Sequence, residues 1–184
     1  DSGYWERLET GELTREQVML GRFHEFFESE GLPTDQVKVF NDEYQIRLGD
    51  KAFFCDHGDE LVKQLKATVK QYAVTNGTTV AQERKLRFSG LDQLLDGVFI
   101  SEQVGVDKPQ KAFFDAVWNE IGSYAPDEVV IVGDSLTSDI RGGKNAGILT
   151  CWYNPDHLPN KIEVTPDCTI DNLQDILSYL DESR

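Results

Sequence analysis

"VVIVGDSLTSDIRGG", residues 129–143, sets four branched apolar residues against a glycine and an aspartate, with a second aspartate five positions further on. The run is apolar at every position instead of alternating, the pattern of a strand covered on both faces in a parallel sheet. The spacing G-D-x-x-x-x-D predicts that Asp134 closes the strand and that Asp139 lies in the first turn of the following helix. Two carboxylates so placed can face one point.

Working outward from this stretch, the same change of rhythm repeats from Asp56 to the end. "DELVKQLKA" reads as a helix, "VKQYAVTNG" as a strand with a polar end, and "TTVAQERKLRFSG" as a helix. "VFIS" reads as a strand, and "KPQKAFFDAVWNEIG" as a helix with Pro109 near its first turn. After "EVVIVGD" come a short helix "SDIRGGKNAG", a strand "ILTCWYN" and a closing helix "LQDILSYLDE". Such alternation predicts an α/β fold with a doubly wound parallel sheet over residues 53–184.

Residues 1–52 have another texture and are expected to be all helical, a small cap beside the α/β part. In "TREQVMLGRFHEFFESEGLP" the apolar positions Val18, Leu20, Phe23, Phe26 and Phe27 recur at helical spacing, and Thr14 with Gln17 forms a capping-box pattern. A second helix is expected from Thr34 to about Arg47, with Val37, Val39, Phe40, Tyr44 and Ile46 as its apolar face. Trp5, Phe23 and Phe27 read as buried faces of amphipathic helices in preference to a ligand platform.

Composition excludes several function classes. The 184 residues carry 33 acidic against 18 basic side chains, a net charge of −15, which disfavours a nucleic-acid polymer as partner. No apolar run approaches the ~20 residues of a membrane helix, so no membrane partner is expected. Cys55, Cys151 and Cys168 stand apart, with no metal-ligand spacing, and read as thiols of a reducing, cytoplasmic compartment.

In open α/β sheets ligands gather at the carboxyl ends of strands. Those ends bring Thr75, Asn76 and Gly77, then Lys108, then Asp134 and Asp139. Thr75 offers a hydroxyl, and the N–H groups of Asn76 and Gly77 can open towards an anion. Lys108 is a compact positive charge for phosphoryl oxygens, and the two aspartates suit Mg²⁺, which takes one or two carboxylates beside water and phosphate oxygens. Each element has a plainer reading: a simple turn, a surface helix start, a helix cap. Their order on successive strand ends favours the joint one, a site for a small phosphorylated substrate.

With these residues in place, the chain resembles the haloacid dehalogenase-like phosphohydrolases. "VTNG" is similar to their second motif, with Thr75 contacting the phosphoryl group. Lys108 in "VDKP" is similar to the third, and "VGDSLTSD" to the fourth, with Asp134 and Asp139 as magnesium ligands. The resemblance implies a Mg²⁺-dependent phosphate monoester hydrolase working through an aspartyl-phosphate, acting as a monomer or homodimer. "WERLETGELTREQV" and "IRGGKNAGILTCWYNP" further resemble the pyrimidine-nucleotide 5′-phosphatases. The family's opening strand with D-x-D-x-T, which carries the nucleophile, has no counterpart in the sequence, and "CDHGDE" at 55–60 is no substitute. The chain is therefore expected to be the C-terminal part of a longer protein, inactive alone. A phosphosugar phosphatase, a haloacid dehalogenase and an inert fragment that binds phosphate or a partner stand as alternatives.

Overall fold

The computed structural model describes residues 2–122 and 124–182. Its helical layer comprises α1 (Ser2–Glu9), α2 (Arg15–Ser29) and α3 (Val37–Gly49). The capping box forms: Gln17 N–H donates to Thr14 Oγ1 at 3.2 Å, and Thr14 N–H donates to Gln17 Oε1 at 2.8 Å. Phe23 packs edge-on against Phe40 and Tyr44 of α3, with ring centroids 5.0 and 5.1 Å apart.

The expected apolar face of α3 is not the one it buries. Val39 is 65% exposed and Ile46 38%, while Val37, Asn41, Gln45 and Gly49 turn inward. The reason lies in what α3 meets. It packs on α5 (Thr79–Ser89), where a side chain at residue 49 would press on Ala81 O and Arg84 Cβ. Gln45 accepts a hydrogen bond from Thr78 Oγ1 at 2.9 Å and donates to Asn41 Oδ1 at 3.3 Å. A satisfied polar seam replaces a greasy one.

The α/β part runs α4 (Gly58–Leu65), β1 (Tyr72–Thr75), α5, β2 (Gly97–Ile100), α6 (Ser101–Val104), α7 (Lys111–Ile121) and β3 (Val130–Gly133). It continues through a π-helical turn at Leu136–Ile140, α8 (Arg141–Ala146), β4 (Leu149–Tyr153), β5 (Cys168–Ile170) and α9 (Ile176–Glu182). The predicted strands and the parallel pairing are present. β1 and β2 pair from Tyr72↔Gly97 to Thr75↔Ile100, and β3, β4 and β5 form a second parallel sheet. Among the described residues β1 and β3 do not pair with each other, so the strands form two sheets instead of one.

One core cluster packs Phe113, Phe114 and Val117 of α7 against Ile131 and Ile148, and the other packs Leu61, Cys151, Ile170 and Ile176. Cover on β3 is incomplete, since Val132 is 39% exposed. Helix α8 sits close on the sheet because Gly143 has no side chain: a Cβ there would come within 2.5 Å of Ile131 Cγ2 and 2.6 Å of Thr150 Cγ2.

β5 is short and bracketed by Asp167 and Asp171, so periodicity does not reveal it. Asp167 secures it. Its carboxylate accepts Thr150 N at 2.8 Å, Thr150 Oγ1 at 2.7 Å and Lys144 Nζ at 2.6 Å. Burial pushes this carboxyl up, but the Lys144 and Thr150 contacts outweigh it and hold the group below its ordinary value of 3.8. A depressed carboxyl stabilises the fold above its unfolded value, and that contribution fades as pH falls through the lower folded one. Asp167→Asn is therefore expected to lower the melting temperature at pH 7, with the difference from wild type shrinking below pH 3.8. Equal melting curves at pH 7 would refute this.

Candidate active site

The loop after β1, the loop before α7 and the turn after β3 meet around Lys108, whose side chain is 4% exposed. Its ammonium donates to Val74 O of β1 at 2.9 Å and to Asp139 Oδ1 at 2.6 Å. One buried cation thus spans the two sheets where their strands end. The Lys108–Pro109 peptide is cis.

Asn76 holds this cation from the backbone side. Its Oδ1 accepts Lys108 N–H and its Nδ2 donates to Lys108 O, both at 2.9 Å. Sequence reading offers Asn76 as a donor of backbone N–H; the structure shows its side chain clamping Lys108. Gly77 N–H donates to Thr75 Oγ1 at 3.1 Å. With its oxygen accepting there, the Thr75 hydroxyl keeps its own hydrogen for another acceptor.

Asp139 is seated by its own turn. Ser135 N–H donates to its Oδ2 at 3.2 Å, and Ser135 Oγ caps the turn by accepting Ser138 N–H at 3.1 Å. Gly133 makes the space, because a Cβ there would overlap the Asp139 carboxylate. Asp134 is exposed, and its carbonyl is fixed by Trp152 Nε1 at 3.0 Å.

Among the described residues no group of three or more His, Cys, Asp and Glu side chains is arranged to hold a metal. Two carboxylates on one turn fit Mg²⁺, which draws its other ligands from water and substrate oxygens. Asp139 retains capacity for it, since a carboxylate has about four lone-pair sites and two are engaged here.

Two residues of the helical layer reach this region without having been singled out by sequence. Arg15 bonds the loops after β1 and β2, donating to Asn76 O at 2.9 Å, Gly77 O at 3.2 Å, Ser101 Oγ and Asp107 Oδ1. Glu9 faces Thr137 and Ser138; burial raises its carboxyl above the ordinary value although those hydroxyls oppose the shift. Its Oε2 has no hydrogen-bond partner among the described residues. A signal was available for both. Glu9 ends α1 and Arg15 begins α2, each charge at the helix end its own macrodipole disfavours, which points to partners elsewhere in the fold.

Residues 2–147 match the haloacid dehalogenase-like hydrolase family. The chain is 34% identical over 180 residues to YfnB of Bacillus subtilis, named as a HAD-hydrolase, covering 98% of this chain and 76% of that one. It is 34% identical to the pyrimidine 5′-nucleotidase PynA of Streptococcus pneumoniae, with 97% and 76% covered. It is 31% identical to the pyrimidine 5′-nucleotidase YjjG of Escherichia coli, with 96% and 77% covered. The crystal structure of YfnB, described as bound to magnesium and as revealing interdomain movement, superposes with a TM-score of 0.91 over 98% of this chain and 78% of that one.

Proposed function

Because the chain belongs to the haloacid dehalogenase-like hydrolases, we propose that it hydrolyses phosphate monoesters, with magnesium on Asp134 and Asp139 and nucleoside 5′-monophosphates as substrates. The observation that carries this reading is the buried ammonium of Lys108, fixed between Val74 O and Asp139. A desolvated cation held rigidly at strand ends is suited to the oxygens of a phosphoryl group. The two nucleotidase relatives support the substrate class.

In this reading Lys108 and the Thr75 hydroxyl take phosphoryl oxygens, and Asn76 keeps Lys108 from swinging away. Magnesium, when bound, supplies positive charge against the same oxygens. The helical layer shields the reacting centre from water. The attack on phosphorus is assigned to an aspartate giving an aspartyl-phosphate, and none of the residues described around Lys108 is assigned that role.

A phosphosugar is the second reading. It has support from the glyceraldehyde 3-phosphate phosphatase of Methanopyrus kandleri, 36% identical over 114 residues, with 60% of this chain and 48% of that one covered.

The test is release of inorganic phosphate from a panel of nucleotides, phosphosugars and 2-haloacids, with and without Mg²⁺. It is run on the 184-residue chain beside the full product of its gene. Magnesium-dependent turnover of nucleotides supports the reading; turnover of 2-haloacids alone, or of nothing in either protein, refutes it. Asp134→Asn is expected to weaken Mg²⁺ at least ~10-fold and to remove most turnover. Its melting temperature should hardly change, because the side chain is exposed. Calorimetric titration with Mg²⁺ and a thermal melt check both.

A further inference from the structure

Arg15 starts α2, where the helix dipole works against a cation, and its side chain is only 19% exposed. What holds it there is a fork of bonds to three separate pieces of the α/β part. One terminal nitrogen serves Asn76 O and Gly77 O, and the other serves Ser101 Oγ and Asp107 Oδ1. No other side chain of the helical layer is recorded bonding all three segments.

The bonds fall on the back of the site. In a trans peptide the C=O and the next N–H point opposite ways. Drawing Asn76 O and Gly77 O towards Arg15 therefore turns the N–H groups of Gly77 and Thr78 away from it. For Gly77 this is observed, since its N–H reaches Thr75 Oγ1. The second nitrogen pins Asp107, the residue before Lys108, and Asn76 is itself clamped to Lys108. Both halves of the clamp are thus held from behind by one guanidinium.

We propose that Arg15 is a positioning residue for phosphate binding: by gripping the backs of the Thr75–Gly77 turn and the Asp107–Lys108 segment, it sets both whenever the helical layer is docked. The proposal rests on the phosphatase reading for its functional part. It makes docking of the helices and readiness of the anion site a single event. Lysine is no substitute, because one ammonium lacks the planar fork that serves acceptors on three segments.

The test compares Arg15→Met, Arg15→Lys and wild type in the full gene product. Amide hydrogen exchange is read at residues 76–79 and 101–108, and inorganic phosphate is titrated in the presence of Mg²⁺. In Arg15→Met, exchange in both segments is expected to rise together by ~10-fold or more, while β4 and α7 stay protected. Phosphate affinity should fall ~10-fold, and kcat should fall more than KM changes, since the groups disturbed act on the transferring phosphoryl group. Arg15→Lys should recover little of either. Unchanged exchange in the two segments, a rise spread evenly over the whole chain, or full recovery by lysine overturns the proposal. If wild type neither binds phosphate nor turns over any monoester, the phosphatase reading fails, and the exchange data still decide whether Arg15 orders the two segments.

Discussion

Lys108→Ala should abolish most turnover and loosen the protein at once. The ammonium is 4% exposed and sits 2.6 Å from Asp139, itself 8% exposed. Removing it strands a buried carboxylate, which costs about 3–5 kcal/mol, or roughly 10 °C in melting temperature for a chain of this size. The loss of a charge contact at the transferring phosphoryl group lowers kcat by a further ~100-fold or more. Two measurements separate these effects. The double variant Lys108→Ala with Asp139→Asn removes both charges, so it should regain much of the stability and none of the activity. A single variant that turns over at near the wild-type rate would remove Lys108 from its assigned role.

Gly133→Ala is the second large effect, and it comes from a residue with no functional group. A methyl there would occupy the space of the Asp139 carboxylate. Either Asp139 swings off Lys108 or the end of β3 shifts, and overpacking of this kind costs about 1–3 kcal/mol. A displacement near 1 Å at a reacting centre costs ~100-fold in rate. The expected result is a modest drop in melting temperature, a fall in Mg²⁺ affinity of ~10-fold or more, and turnover reduced by about two orders of magnitude. Calorimetric titration and phosphate release measure the two. Wild-type values in both would show that the carboxylate does not depend on this seat.

The fold was legible where periodicity was strong. The apolar run ending at Gly133, the strand ending at Thr75 and the helix from Lys111 all stand out because each buries a continuous apolar face. The reading failed on α3, where Gln45 and Asn41 face inward because their partners, Thr78 and each other, are supplied by folding. It also missed β5, whose three residues are held by Asp167 instead of by a pattern of their own.

The strand-end residues were legible because a parallel sheet puts chemistry in one place, and Thr75, Asn76, Lys108 and Asp139 do come together. What sequence leaves hidden is how each is used. The clamp by Asn76 depends on a partner 32 residues away, and the grip of Arg15 on partners up to 92 residues away. Only the misplaced charge at a helix start hinted at the second.

The ion pair between Lys108 and Asp139 has one more consequence. The pocket brings its own counter-ion. A cluster of bare acids would leave an electrostatic hole that only a divalent cation could fill, and the fold would hang on the metal supply. Here an internal ammonium already offsets one of the negative charges, so loading is closer to sharing a carboxylate between two cations than to neutralising an orphan. Occupancy can then track the free magnesium level around the protein, while the architecture stays indifferent to it.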